Sequence, residues 1–473
     1  MRMHTVSHLH SPQYDVVKGG CLFVIRMNCC DDALSGNVIT PCSENYEKAR
    51  QEWNRAIQKF PLAIIYCSTS EEISKAICWA RRHCIGIRIR SGGHNYEGYS
   101  TGNNILVIDV SPMQRLVLNE EANTLFIQSG VTNNQLYDYM GALGYPFPGG
   151  TCPTVGVAGY TLGGGWGYSS RYMGLGCDSL IELEMVDYQG TVLTANADTN
   201  SDLFWACRGG GGGNFGVVTS MTFELPAKVD TVTLIELAYS NTSQDTMIQF
   251  LGTWQTWLVN LDDRMTINAS LYNSADDGMG IYGRGLFYGS AAAAELILQP
   301  FTEIEGASLT LEELTFWEAI QKIGATYPDS EKFQSTGRFV ERQYDADELE
   351  NIVELISQRA EGSVFAAVSV YALGGKVQTI DAADTAFYYR NAAYILSIQS
   401  VWEDNRYLPV NRPWLYEQFR YLRQITTGSY VNFPYSYIAA YESAYYGENV
   451  TKLRQINRQY DPQNIFCFPQ SIR

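Results

Sequence analysis

Residues 149–176 read GGTCPTVGVAGYTLGGGWGYSSRYMGLG, and ten of these 28 residues are glycine. Glycine at this density costs chain entropy, so it is used where the backbone must approach a ligand closely or take a positive φ. Two more glycine-rich stretches lie beside apolar, strand-like segments, at RSGGHNYEGYS (90–100) and RGGGGGNFGVVTSMTFEL (208–225). Three such clusters in one half of the chain predict a ligand with phosphate groups, held by backbone N–H donors.

The common phosphate-binding motifs do not describe these loops. A Rossmann site needs GxGxxG between a strand and a helix, and GVAGYTLGGGWG (156–167) lacks that spacing. A P-loop needs GK followed by Ser or Thr at the loop end, which is absent. The five glycines at 209–213 are open to a second interpretation, a flexible linker, but their apolar flanks disfavour it. The sequence therefore predicts phosphate or dinucleotide binding on another fold.

Length and composition exclude several classes of protein. The 473 residues, 45% hydrophobic and 18% charged, predict a globular protein of two domains. The net charge of −17 argues against binding to nucleic acid or to an anionic membrane. Eleven irregularly spaced cysteines argue against a disulfide framework and a zinc site. No apolar run is long enough to cross a bilayer and no secretion signal is evident, so we expect a cytoplasmic protein.

The first half of the chain predicts short helices and strands in α+β order rather than regular βαβ repeats. NYEKARQEWNRAIQ (45–58) predicts a helix, and SEEISKAICWARRHC (70–84) predicts a second one with a cap-like start. Near residue 226 the glycine loops stop, and longer strands such as TVTLIELAYS (231–240) alternate with helices. We therefore place a second domain after residue 226, and we expect the first residues of the chain to be loose, with Met27 as a possible start.

Four motifs follow one another along the chain: RSGGHNYEGYS (90–100), GGTCPTVGVAGYTLGGGWGYSSRYMGLGCD (149–178), DLFWACRGGGGGNFGVVT (202–219) and YYGENVTKLRQINRQYDPQNIFCFPQSI (445–472). Together they resemble the berberine-bridge-enzyme-like family of FAD-linked oxidases. The resemblance implies an α+β fold, with a PCMH-type FAD-binding domain of two α+β subdomains and a substrate domain with a large antiparallel sheet covered by helices. The implied segments are a loose extension (1–40), the FAD domain (41–226), the substrate domain (227–404) and a C-terminal segment that completes the FAD domain (405–473).

The resemblance also implies that FAD is bound covalently. In the family, the histidine of the first motif bonds to the flavin 8α-methyl group and the cysteine of the second bonds to C6; these are His94 and Cys152 here. Each bond needs a nucleophile that can be deprotonated, and a glycine bed lets the ring approach. The other positions assigned to FAD binding are Arg90, Ser91, Gly92, Gly93, Asn95, Ser100, Gly149, Thr151, Val155, Gly156, Gly159, Gly163, Gly164, Gly165, Gly167, Gly213, Asn214, Gly216, Val217, Tyr430 and Asn432.

The resemblance to the family fails at the position where relatives carry their catalytic base. Oligosaccharide-oxidising members have Tyr-x-Asn-Tyr, whose second tyrosine takes the proton of the substrate hydroxyl. In SYVNFPYSY (429–437) that position is Phe433, which cannot accept a proton. The candidate replacements are Tyr435, Tyr371 and Tyr96.

We prefer Tyr435 among these candidates, because positions two apart on a strand share a face and Tyr435 follows Phe433 by two. A tyrosine base needs a nearby positive charge, since its ordinary pKa is near 10. Arg390 is a candidate for that charge, although a structural ion pair is an equally good interpretation. The predicted substrate contacts are Phe433, Arg390 and Ser397.

Three functions stay open at this point. The first is an FAD oxidase that takes a hydride from an alcohol or carbohydrate and reduces O2 to H2O2. The second is oxidative cyclisation or desaturation of a secondary metabolite, and the third is a flavin-binding protein with a degenerate site. The expected partners are a small-molecule substrate and molecular oxygen, without a metal, in a monomer or homodimer. Val155 occupies the position that governs access of oxygen in the family.

Overall fold

The computed structural model describes residue 34 and residues 37–473. Most of the predicted loose extension at 1–40, including the predicted start at Met27, lies outside these residues. Its described end is not loose: Asn37–Ile39 forms a strand, β1, that pairs antiparallel with the next strand of the chain. No helix in the described part of the chain is long and apolar enough to span a bilayer.

A four-stranded sheet begins the fold, in the order β1-β2-β4-β3. Strands β2, β3 and β4 run parallel, so their carboxyl ends lie at one edge of the sheet. The glycine turn that carries His94 directly follows β3 at this edge. The later strands of this sheet are β2 (Ala63–Tyr66), β3 (Ile87–Arg90) and β4 (Leu106–Asp109).

A five-stranded antiparallel sheet follows, in the order β5-β6-β9-β7-β8. Its strands are β5 (Leu116–Asn119), β6 (Thr124–Gln128), β7 (Leu180–Val186), β8 (Val192–Asn196) and β9 (Val217–Glu224). The helices that accompany the first two sheets are α1 (Tyr46–Ala49), α2 (Ser70–Arg82), α3 (Asn133–Gly141), α4 (Val157–Leu162), α5 (Ser170–Met173) and α6 (Ser201–Ala206).

A seven-stranded antiparallel sheet occupies the second half of the chain, in the order β13-β10-β12-β11-β15-β16-β14. Its strands are β10 (Val232–Tyr239), β11 (Met265–Ser274), β12 (Gly278–Phe287), β13 (Ser308–Leu314), β14 (Phe333–Val340), β15 (Ser363–Ala372) and β16 (Tyr394–Trp402). The remaining helices are α7 (Gln244–Leu258), α8 (Ala291–Thr302), α9 (Phe316–Gly324), α10 (Ala346–Glu354), α11 (Leu408–Ile425), α12 (Tyr441–Tyr446) and α13 (Val450–Tyr460). The predicted α+β class with a large antiparallel sheet is confirmed.

The predicted helix at 45–58 is wrong beyond its first turn, because only Tyr46–Ala49 is helical. The rest of the segment is irregular, with a turn at 54–57, and is held by tertiary contacts. The Asn54 side-chain amide donates to the carbonyls of Tyr96 and Phe333, at 3.0 Å each. Long-range hydrogen bonds thus replace helical ones, and they tie the His94 turn to β14.

Candidate active site

A cavity of about 510 Å³ receives residues from all three sheets and from the C-terminal segment. Most of the predicted site residues meet there, although they come from distant parts of the chain. The predicted residues that line it are Ser91, Gly92, Gly93, His94, Asn95, Tyr96, Ser100, Thr151, Cys152, Val155, Gly156, Gly159, Gly213, Asn214, Gly216, Tyr371, Tyr430, Asn432 and Phe433.

His94 and Cys152 come from separate glycine-rich turns and reach the same hydroxyl group. Thr154 Oγ1 lies 2.8 Å from His94 Nε2 and 3.9 Å from Cys152 Sγ. The Trp53 ring stacks on the His94 ring, with centroids 5.1 Å apart. Burial lowers the pKa of His94 to about 4, so its imidazole is neutral near pH 7 and keeps a lone pair for bond formation.

One part of the cavity is lined by backbone rather than by side chains. A Cβ at Gly159 would have no neighbour within 4 Å, and one at Gly213 would meet nothing closer than 3.7 Å. A larger side chain at either position would therefore not clash with the protein itself. At Gly213 a φ of +79° is a separate reason for glycine. The empty space beside them is therefore a bed for a ligand that lies close to the backbone.

Four residues on the lining carry a buried polar atom that lacks a hydrogen-bond partner within the described chain: Trp53 (Nε1), Arg88 (Nε), Tyr99 (Oη) and Ser129 (Oγ). Buried hydroxyl groups are nearly always paired, so an unpaired one in a cavity indicates a polar ligand. Together with the glycine bed, these atoms fit the polar portion of a dinucleotide. The residues present thus fit FAD, and His94 and Cys152 lie on the same lining.

Aromatic rings form the other part of the cavity. The Tyr96 ring stacks on Phe433 with centroids 5.2 Å apart and an interplanar angle of 9°. Tyr371 meets Phe433 edge-on at 5.5 Å, and Tyr430 meets it at 5.0 Å. Of these four rings, three carry a hydroxyl group, and the hydroxyl-free Phe433 lies between them.

Tyr430 is held as a structural hydrogen-bond acceptor rather than as a free hydroxyl group. Its Oη accepts the N–H groups of Gly165 and Trp166 at 3.0 and 3.1 Å and the side-chain amide of Asn432 at 3.1 Å. Burial raises its pKa to about 12. Gly165 thus positions Tyr430 and does not itself line the cavity.

Tyr435, the preferred base in the sequence analysis, does not line the cavity. Its side chain is fully buried against Phe419, with ring centroids 4.8 Å apart. The preference assumed a strand, whereas the Phe433 N–H donates to the Tyr430 carbonyl at 2.9 Å and closes a turn. Strand alternation therefore does not apply here, and Tyr371 and Tyr96 remain as candidates.

Arg390 is also outside the cavity lining, and it forms a structural ion pair. Its guanidinium donates to both carboxylate oxygens of Asp178, at 2.8 and 2.7 Å, with both side chains buried. It cannot supply the charge that a tyrosine base needs. Ser397 lies on the cavity side of β16, but its hydroxyl is 3.2 Å from that of Ser335 and it does not line the cavity either.

We expect Arg390→Met to lower the free energy of unfolding by about 3–5 kcal/mol, because it leaves the Asp178 carboxylate buried without its partner. Denaturant unfolding of the purified protein measures this loss. The control is Arg420→Met, which breaks the exposed pair with Glu417 and should cost less than about 1 kcal/mol. Equal losses in the two variants would contradict a structural role for the buried pair.

Several predicted FAD contacts instead support the residues that line the cavity. Arg90 is buried and pairs with Asp109 at 2.5 Å and Glu52 at 3.5 Å. Val217 packs into the core beside α2, while its strand neighbour Val218 lines the cavity, because side chains alternate along β9. The glycines that pack against protein rather than lining the cavity are Gly149, Gly163, Gly164, Gly165 and Gly167.

Sequence reasoning missed several residues of the lining. It also missed Thr154, which contacts His94 and Cys152 without lining the cavity. The available signal was its place inside the quoted CPTVG motif, two residues after Cys152. Trp53, Phe333 and Glu331 carry no local pattern, since they reach the cavity through long-range pairing. The remaining missed side chains include Tyr99, Ser129, Tyr327 and Gln399.

The fold and the cavity define a dinucleotide-binding flavoprotein of α+β class. Its separate seven-stranded antiparallel sheet contributes to the aromatic part of the cavity. Comparison with known proteins is consistent with this class. Residues 61–196 match the family described as FAD binding domain, and residues 429–473 match the family described as berberine and berberine like.

Individual relatives extend the match to nearly the whole chain. The uncharacterized FAD-linked oxidoreductase YgaK of Bacillus subtilis is 32% identical over 447 residues, covering 93% of this chain and 97% of that protein. Xylooligosaccharide oxidase of Thermothelomyces thermophilus is 27% identical and covers 91% of this chain and 90% of its own. The solved structure of Physcomitrella patens BBE-like 1 has a TM-score of 0.84 at 26% identity, covering 93% and 97% of the two chains. The chain belongs to the berberine-bridge-enzyme-like family of FAD-linked oxidases.

Proposed function

We propose that this enzyme oxidises the CH–OH group of an alcohol or carbohydrate-type substrate and that its FAD is bonded to both His94 and Cys152. The observation that carries the proposal is the convergence of these two side chains on the Thr154 hydroxyl, at the junction of the glycine bed and the aromatic rings. When bound, the flavin accepts a hydride from the substrate carbon and passes the electron pair to O2, which gives H2O2.

The two attachment side chains differ in how ready they are for bond formation. The neutral His94 imidazole needs no deprotonation before its lone pair can attack. Burial raises the pKa of the Cys152 thiol, while hydrogen bonds from Thr154 and Val155 partly offset this. Cys152 would therefore have to lose its thiol proton before its bond forms, whereas His94 would lose its remaining N–H proton only after bonding.

The substrate in this proposal lies between the aromatic rings, with its hydroxyl group toward Tyr371 or Tyr96. Burial raises the pKa of both phenols, so each is protonated near neutral pH. A tyrosine base in this cavity is therefore active mainly at high pH. Anaerobic bleaching of the flavin by a panel of alcohols and oligosaccharides, followed by peroxide detection in air, tests the proposal.

Oxidative cyclisation or desaturation is the second candidate. The apolar Phe433 at the position of the usual base supports it, because a substrate that supplies its own base needs no phenol there. Flavin bleaching by aromatic secondary metabolites but by no simple alcohol or sugar would favour this candidate. The cytoplasmic location and the monomeric or homodimeric state stay predictions.

We expect Val155→Leu to slow reoxidation of the reduced flavin in air by about tenfold or more, equivalent to ~1.4 kcal/mol in activation free energy. Val155 lines the cavity three residues after Cys152, so a longer side chain there takes space from oxygen. Stopped-flow absorbance after anaerobic reduction measures the rate, with flavin content as the control. Equal rates in the two proteins would leave Val155 as a packing residue.

A further inference from the structure

Glu331 is the one carboxylate among the residues that line the cavity in the described chain. Its backbone is fixed, since its N–H donates to the Trp53 carbonyl at 3.3 Å and its own carbonyl accepts the Arg55 N–H at 2.7 Å. Its Oε2 accepts a hydrogen bond from the Gln399 side-chain amide at 3.3 Å. This carboxyl group is therefore held in place at the cavity wall.

No lysine, arginine or histidine forms a salt bridge with Glu331 in residues 37–473. The adjacent Lys332 donates instead to the Glu403 carbonyl, and Arg88, the arginine on the lining, donates to the backbone carbonyls of Ile87 and Cys467. Burial alone raises the pKa of Glu331 to about 7. A partly buried carboxylate without a counter-ion is unfavourable, so a ligand that brings a positive charge would bind favourably.

The surroundings of Glu331 suit an organic cation better than a hydrated metal ion. Trp53 lies on the segment whose backbone pairs with Glu331, and Phe333 follows Glu331 by two residues. The centroids of these two rings are 5.8 Å apart. Tyr96 meets Phe333 edge-on at 4.9 Å, which extends the aromatic wall toward Phe433. Aromatic faces attract ammonium groups, by about 0.5–2 kcal/mol for each well-placed ring.

We infer that Glu331, Trp53 and Phe333 form a subsite for a positively charged nitrogen of the substrate, as a protonated amine or a quaternary ammonium. The inference rests on the proposed function in one respect: it takes this cavity as the place where the substrate is oxidised. The charged nitrogen then lies beside Glu331, and the CH–OH group points along the aromatic wall toward Phe433 and Tyr371.

Protonation gives this subsite a characteristic pH dependence. Arg88 on the same lining stays cationic near pH 7. The other titratable groups there are neutral, because burial lowers the pKa of His94 and raises the pKa of Cys152, Tyr96, Tyr327 and Tyr371. Asp329, two residues before Glu331, is exposed and off the lining. A cation selects the ionised Glu331, so its affinity should fall as pH drops below about 7.

The test compares choline with 3,3-dimethylbutan-1-ol, its neutral isostere, by calorimetric titration of the holoenzyme. We expect choline to bind about tenfold more tightly or better, and the preference to shrink between pH 8 and pH 6. Glu331→Gln should reduce the preference and remove its dependence on pH, while flavin content stays unchanged. Asp329→Asn, on the same loop, is the matched control and should retain it.

Equal affinity of the wild-type protein for the two probes, or no measurable binding of choline, would overturn the inference. A Glu331→Gln protein that prefers choline as strongly as the wild type would also overturn it. So would a Glu331→Gln protein that binds both probes normally and only loses turnover, because that result indicates a base. The proposed function fails separately: if choline binds through Glu331 but no alcohol bleaches the flavin, the cation subsite stands and alcohol oxidation does not.

Discussion

The double variant His94→Ala/Cys152→Ala is expected to release its flavin into the supernatant on acid precipitation, whereas wild-type protein gives a yellow pellet. Each single variant should stay yellow, because one covalent bond suffices to retain the flavin after denaturation. The reason lies in the geometry: both side chains reach Thr154 Oγ1 from separate turns, so either can hold the ring without the other. Absorbance of pellet and supernatant near 450 nm measures the partition.

The matched control is His83→Ala/Cys78→Ala, which removes one histidine and one cysteine away from the cavity. His83 ends α2 and its ring lies 4.7 Å from Trp79, while Cys78 contacts the Gln189 carbonyl. This variant should keep its flavin. Loss of flavin from denatured wild-type protein would show that the linkage at His94 and Cys152 does not form.

Tyr371→Phe is expected to lower the rate of flavin reduction by a verified substrate about a hundred- to ten-thousandfold, the usual contribution of a general base. Tyr371 lines the cavity 5.5 Å from Phe433, and burial raises its pKa. Because only the phenolate accepts a proton, the wild-type rate should rise with pH and should keep rising above the ordinary tyrosine pKa of about 10. Anaerobic stopped-flow reduction across pH measures both effects.

Two further variants decide between the remaining explanations of the missing base. If Phe433 is simply a lost catalytic residue, Phe433→Tyr should raise alcohol oxidation on that same scale. If Tyr371 has taken over the role, Phe433→Tyr should do little, and Tyr96→Phe should have only a small effect. Tyr435→Phe is the control, since this buried ring lies outside the cavity lining. Full turnover by Tyr371→Phe would remove Tyr371 as the base.

Most of the predictions about the cofactor site came from local sequence motifs. The glycine-rich stretches at 90–100 and 149–178 are each continuous in the sequence. His94 and Cys152 could therefore be selected from these motifs by their resemblance to the family. The large antiparallel sheet of the second half could also be anticipated. The resemblance to the family implied it, and the alternating strands and helices after residue 226 agreed with it.

The identity of the active-site side chains was decided by tertiary structure. Tyr435 was preferred on strand periodicity, yet a turn at 430–433 buries it elsewhere. Glu331 was overlooked, because it reaches the cavity by pairing with a segment almost 280 residues earlier, near Asn54. The sequence alone thus determined the glycine turns, the fold class and the two flavin-linking candidates, because these depend on residues close together along the chain. Only the folded chain determined which tyrosines and which carboxylate line the cavity, because that depends on which distant segments bury them.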